Sequence, residues 1–484
     1  MSAPPILLAL AGNRALLPEH IDALLARNDP ELSRELAREQ RLSSAQIDRL
    51  AGSGRRDILV ALIESGSLGV ERIPNDDPWT LLAAIDRADA PDDLLPRLAN
   101  WPDTAVRLAL GEHASERPDI AQLVAADENC LVAAHAARLW KLPEKLALRL
   151  SGRAEACVRA ALAANIHTPG VILAGLICDG GEPPTIPCPH QSDTAAATRE
   201  VRLLAAGNPA TPVAAVEPLA VRPDPVLALA LARRSDLRDE TYRHLLELHD
   251  HSVMARVAMN WAAPADLLRE LYDLEAGRWR HCVLANPRTP LDLLVRYSRE
   301  GGSPPTDNHP DLEGLLALAQ DTDPRVRLVA AASHRLPAEV RATLIEDADF
   351  GVACRASRYY AVSAEQVRAL VMRYGSRTFP QVAGHPSCPP DVLLTIATDP
   401  TSSAEAISDV AVHESAPPAA LAACLRHPHA AAGIAGNPAT PTDMLIKLAS
   451  HSDPEVLWEL ARNPSLPATA GNLVLKVLDA LPTT

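Results

Sequence analysis

The sequence predicts an all-α chain, an α-solenoid of about sixteen helical repeats of ~26 residues. Two observations predict it. The pentapeptide NPATP stands at 208–212 and again at 437–441, with near-copies NPRTP at 286–290 and NPSLP at 463–467. The last position of that motif also recurs at a fixed interval. Positions 212, 238, 264 and 290 are 26 apart, as are 337, 363 and 389, and 441 and 467.

Each repeat has the same parts. A first helix follows the ruler residue, as in PTDMLIKLAS (441–450), where Met444, Leu445 and Leu448 share one face. A turn follows, often Asp-Pro, and then a second helix. In SDPEVLWELARNP (452–464), Val456, Leu457 and Leu460 point inward. The pentapeptide is the joint. Its Asn tolerates the left-handed conformation past a helix end, its first Pro stops the helix, Thr caps the next helix, and the second Pro takes the first helical position. Neither helix buries its apolar face alone, so neighbouring repeats must stack.

The ruler marks Pro212, Pro264, Pro290, Pro389, Pro441 and Pro467 strongly, with Arg238 and Ser363 where Pro is missing. Pro91, Pro118, Pro143 and Pro169 extend it upstream, and Pro18, Ser44 and Gly69 more weakly. The expected organisation is a degenerate N-terminal stretch (1–90) and a regular array (91–484). Two intervals are too long, 169 to 212 and 290 to 337. They hold Gly- and Pro-rich insertions at about 178–195 and 298–314, which read as loops. Both interrupt a repeat between its two helices, so both belong on one edge of the array.

The period, the joint and the DPxVRxxxAxNPxxP phrasing resemble the bacterial variant leucine-rich repeat family and, more distantly, HEAT repeats. The resemblance covers residues 90–470 well and 1–90 poorly. It implies a right-handed superhelix of α- and 3-10 helices. One described member carries an N-terminal cysteine cluster for iron–sulfur. The first Cys here is Cys130, so that cluster is not carried over. The resemblance brings no general activity, because fold does not dictate function.

Composition narrows the function. A net charge of −15 disfavours a general nucleic-acid coat, which needs a basic face. Abundant Ala, Pro and Arg beside scarce Lys points to a GC-rich bacterial gene. The N-terminus lacks a basic leader pattern and no stretch reads as a membrane span, so a cytoplasmic protein is expected. The 8 Cys are dispersed with no CxxC pair, which fits reduced thiols. Cys178, Cys188 and His190 share the first insertion and form the best metal-ligand pattern, without the usual short spacing. No cofactor and no metal is called for. His249-Asp250-His251 falls in an inter-helix turn, and His385 and His413 take the joint position held by Asn208, Asn260, Asn286, Asn437 and Asn463. These positions read as a polar ladder capping helix ends. Asp323 with Arg327, and Asp250 with Arg256, read as ties between repeats. No nucleotide-binding, hydrolase or metalloprotease motif is present.

The least typical stretch lies between the insertions, at 241–297. It contains Tyr242, Trp261, Tyr272, Trp279, Arg280 and Tyr297, the side-chain types that dominate interface hot spots. These six form the predicted partner site of a non-enzymatic scaffold that grips a protein or peptide. The bland alternative is that the aromatics fill the core in place of Leu. The alternative function is a HEAT-like DNA-binding or DNA-glycosylase-type enzyme, which requires a cationic trough beside Trp279.

Overall fold

The computed structural model describes residues 5–178, 186, 188, 193–221, 223–303, 305 and 309–480, except the side chains of 276, 359 and 477–480. The described residues form thirty-four α-helices and six 3-10 turns, and no strand. One isolated bridge pairs Glu155 with Ile186. The all-α class is therefore correct. The chain divides into two compact units, one of residues Pro91–Gly314 and one of Met1–Ala90 with Leu315–Thr484.

In the unit Pro91–Gly314, seven helices stack in chain order, each on the next: Thr104–Glu112, Cys130–Ala137, Ala156–Ala164, Thr194–Gly207, Pro225–Leu231, His251–Ala258 and Arg280–Leu284. Pairs of apolar faces close the core. Val253, Met254, Val257 and Ala258 are buried on one helix, and Leu267, Leu268, Leu271 and Tyr272 on the next, Ala265–Asp273. Burying a side chain of this size stabilises by about 1.5–3 kcal/mol.

In the other unit, the row Ala404–Val412, Ala431–Gly436, Pro454–Arg462 does not stop at the C-terminal end. The helix Pro5–Ala11 packs on Pro454–Arg462, and Pro30–Glu39 and Arg56–Glu64 follow it. The first ninety residues thus do not stand apart. They continue the C-terminal row.

The helices start where the ruler places them, but the ruler Pro stands one residue before the first helical position expected of it, which Pro18 and Pro118 do take. Pro143, Pro169, Pro212, Pro264, Pro290, Pro337, Pro389 and Pro441 each occupy the N-cap of the following helix. Arg238 and Ser363 occupy the same position where Pro is missing. The helix Ala468–Ala480 starts directly after Pro467. Pro91 is an exception, since Leu94–Ala99 starts three residues later behind Asp93. Several second helices begin with Asp-Pro. The carboxylates of Asp29, Asp224, Asp323 and Asp453 accept from amides of the first turn, with Pro next in line.

The joint works differently from the expectation. Asn208, Asn437 and Asn463 are extended (φ −74, −73 and −62), not left-handed. Their amides reach back one repeat. Asn437 Nδ2 donates to the carbonyls of Ala411 and His413, and Asn463 Nδ2 to those of Ala435 and Asn437. Each Asn Oδ1 accepts the N–H two residues on, as from Ala439 and Ser465. An extended backbone is what aims the side chain across the stack. The Thr is not the cap either. Thr440 Oγ1 donates back to Ile434 O at 2.6 Å, which ties off an orphan carbonyl of the finished helix.

The ladder continues beyond asparagine. Arg234 donates to Ala206 O and Asn208 O, and His413 Nε2 meets His385 O at 2.9 Å. It also crosses the chain ends. Asn13 Nδ2 donates to Ala461 O (2.6 Å) and Asn463 O (2.9 Å), and Gln40 Nε2 to Ala11 O and Asn13 O.

Charge ladders tie repeats on the outside. Arg269 bonds Asp292 and Arg368 bonds Asp391, both exposed and screened by water, so they fix register more than they stabilise. Arg327 does not pair with Asp323 as expected. It reaches Asp347 in the next repeat at 2.7 Å, while Asp323 caps its own helix. Asp250 likewise caps its own helix, accepting from Ser252 and Val253.

Candidate functional site: a repeat edge bearing two tryptophans

The six residues predicted for partner binding separate into two sets. Tyr242 and Tyr272 are fully buried and Trp279 is 5% exposed. These three are core side chains, so direct contact with a partner is corrected for them. Each stands where other repeats place aliphatic residues. Tyr242 OH donates to Arg234 O at 2.6 Å, and burial pushes its pKa up to about 12. Arg280 and Arg296 sit over the Tyr272 ring, 4.9 and 5.2 Å from its centroid. Arg280 is held by Glu300 and Tyr297 is half-buried. Three buried donors in this group have no acceptor: Tyr272 OH, Trp279 Nε1 and Arg280 Nε. An unsatisfied buried donor costs about 1–3 kcal/mol.

Trp261 is different. It is 50% exposed and Arg288 stacks over its ring at 4.8 Å. It directly follows the ladder residue Asn260, so the joint turns it outward. That register picks out its equivalents in the same unit. Trp140 follows Leu139, whose carbonyl accepts from Asn165. Ile166 follows Asn165, Pro209 follows Asn208, Ser235 follows Arg234, and Pro287 follows Asn286. Trp140 is 67% exposed, and Ile166, Pro209 and Pro287 are exposed as well. The edge therefore presents apolar groups on most of its layers, interrupted by Ser235, with a tryptophan at each of two points four layers apart. At 8–10 Å per packed layer they lie roughly 35–40 Å apart.

Beside Trp140 the edge deepens into a cavity of about 660 Å³. Trp140, Ile166, His167 and Leu204 line it, with Arg138 and Glu200 as its charged members. The His167 ring meets the Trp140 ring edge-on at 5.7 Å. A wall of this kind takes an apolar side chain and offers one charge of each sign. Composition drew attention to 241–297 and missed Trp140, which only the position after the joint singles out.

Many of the arginines of 233–300 are engaged by carboxylates. Arg238 pairs with Glu217, Arg243 with Asp266, Arg269 with Asp292, Arg278 with Glu275, and Arg296 with Asp273. His249 takes a left-handed turn (φ 51) and Asp250 caps a helix. His251 packs on Trp279. This is the inter-helix turn expected for the triplet.

The cysteine pattern is rearranged. His190 lies outside the described residues and Cys178 is exposed. Cys188 instead meets Cys157, Sγ to Sγ 2.8 Å, and Cys130 joins them, all three sulfurs lying within 4.8 Å of one another. Burial raises the pKa of Cys130 and Cys157, and the neighbouring Cys188 pushes Cys157 further. A signal existed in the sequence: 130 and 157 are about one repeat apart.

No protein-family model matches the chain, and no curated protein matches it. Among solved structures, an engineered protein aligns at 15% identity over 78% of this chain and 98% of its own. Its TM-score of 0.17 carries no fold argument. No described helix is long and apolar enough to cross a membrane.

Proposed function

We propose that the chain is a right-handed α-solenoid of about sixteen repeats, similar to the variant leucine-rich repeat family. It acts as a non-enzymatic scaffold for a protein partner. The partner lays an extended apolar segment along the edge from Trp140 to Trp261. The observation that carries this reading is the pair of exposed tryptophans at one register position, with Ile166 and Pro209 exposed between them. Tryptophan at the centre of a desolvated contact contributes ~2 kcal/mol or more, and a stripe on most layers suits an extended strand of chain. The paired arginines and the net charge of −15 speak against a phosphate-binding face.

The test is isolation of a partner from the native host, followed by titration. Trp140→Ala and Trp261→Ala should each weaken binding at least ~30-fold. Trp79→Ala, in the other unit, should change it little. Wild-type affinity in both edge variants refutes the site. Binding of DNA alone, with steep salt dependence, replaces the scaffold by the nucleic-acid reading.

A further inference from the structure

We propose that Cys130, Cys157 and Cys188 bind a zinc ion that fastens the first insertion to the repeat stack. Three features carry this, and none depends on the scaffold reading. The first is convergence. The sulfurs come from two successive stacked helices and from the insertion, yet all lie within 4.8 Å of one another. Thiolates sharing a zinc at ~2.3 Å in tetrahedral geometry lie ~3.8 Å apart; Cys157 and Cys188, at 2.8 Å, are closer than that and have to part by roughly 1 Å to admit the ion.

The second is placement. Cys130 is the first residue of the helix Cys130–Ala137, and Cys157 the second of Ala156–Ala164. Two of the three sulfurs thus stand on the first turns of neighbouring stacked helices, which sets them side by side.

The third is the bridge that delivers Cys188. Ile186 N–H donates to Ala154 O at 2.9 Å, and Ala156 N–H to Ile186 O at 3.0 Å. The pairing is parallel, Glu155 with Ile186. Two residues further along each chain stand Cys157, already in the first turn of Ala156–Ala164, and Cys188, and their sulfurs meet. The bridge holds the insertion in register with the first turn of Ala156–Ala164. A disulfide between Cys157 and Cys188 would leave Cys130 without a role, whereas a soft divalent ion uses all three sulfurs. The described residues supply three corners of a tetrahedron. On binding, each thiol gives its proton to solvent and its sulfur lone pair to the metal, with no change of oxidation state.

The experiment uses the full chain purified under reducing conditions without chelator. Elemental analysis should find about one zinc per chain, and cobalt substitution should give thiolate-to-metal charge transfer. Cys130→Ser, Cys157→Ser and Cys188→Ser should each lower the zinc content at least ~10-fold, whereas Cys178→Ser should retain it. Chelation of the wild type should speed hydrogen exchange at the Ile186 and Ala156 amides of the bridge with helix content kept, a readout that stands even where a variant fails to fold. A chain that takes up neither zinc nor cobalt overturns the proposal. So does a Cys157–Cys188 disulfide in cells lysed into alkylating agent, or the visible spectrum of an iron–sulfur cluster.

Discussion

Asn13→Asp tests whether the two chain ends form one row. Asn13 is buried, and its Nδ2 serves the carbonyls of Ala461 and Asn463 while its Oδ1 accepts from Ala15. The substitution keeps the acceptor and replaces the donor by an oxygen that faces two carbonyls. Asn463 O retains the Leu466 amide, so only one of its lone pairs is lost. Ala461 O lies in the last turn of its helix, among the carbonyls without a helical amide, and loses its side-chain donor. An orphaned buried carbonyl costs about 1–3 kcal/mol and a half-satisfied one about 0.5–1.5, so a local loss of roughly 2–4 kcal/mol is expected before any charge repulsion. A protein of this length does not unfold in one step, so the readout is hydrogen exchange by segment. Protection should fall together in Pro5–Ala11, Pro30–Glu39 and Pro454–Arg462, the helices on both sides of the junction. Loss confined to the N-terminal helices, with Pro454–Arg462 unchanged, would refute the continuous row.

Leu460 is fully buried between Ala431–Gly436 and Pro5–Ala11, so Leu460→Ala should cost ~2–5 kcal/mol locally. Exchange should rise in the N-terminal helices as well as the C-terminal ones, since the C-terminal repeats are not a free end. Tyr272→Phe removes a buried hydroxyl that has no acceptor, so thermal unfolding should be unchanged or higher by up to ~1 kcal/mol equivalent; a clear loss shows a partner for that hydroxyl. Burial is the largest single influence and would raise the Asp347 carboxyl, but the Arg327 guanidinium, the Asp349 amide and Arg373 together outweigh it and hold it below 3.8. The folded state therefore favours the charged form. That stability is complete above 3.8 and is lost as pH falls through the lower folded value. Asp347→Asn should be less stable than wild type at neutral pH, and the gap should close across that acid window in thermal melts.

The period, the helix starts and the polar ladder positions were legible in the residues alone. Each rests on short-range chemistry: proline denies a helix its amide, Asp and Ser cap the next turn, and a recurring Asn marks one point of the repeat. Three things were decided only by tertiary structure. Aromatic identity does not say which way a side chain faces, so Tyr242, Tyr272 and Trp279 went to the core while Trp261 stayed outside with Trp140. The three cysteines meet because two are stacked one repeat apart and the third arrives on a backbone bridge, a contact no local spacing encodes. The packing of Asn13 on Ala461 joins residues at opposite ends of the chain. Its signal is complementarity between two surfaces, which exists only once both are folded.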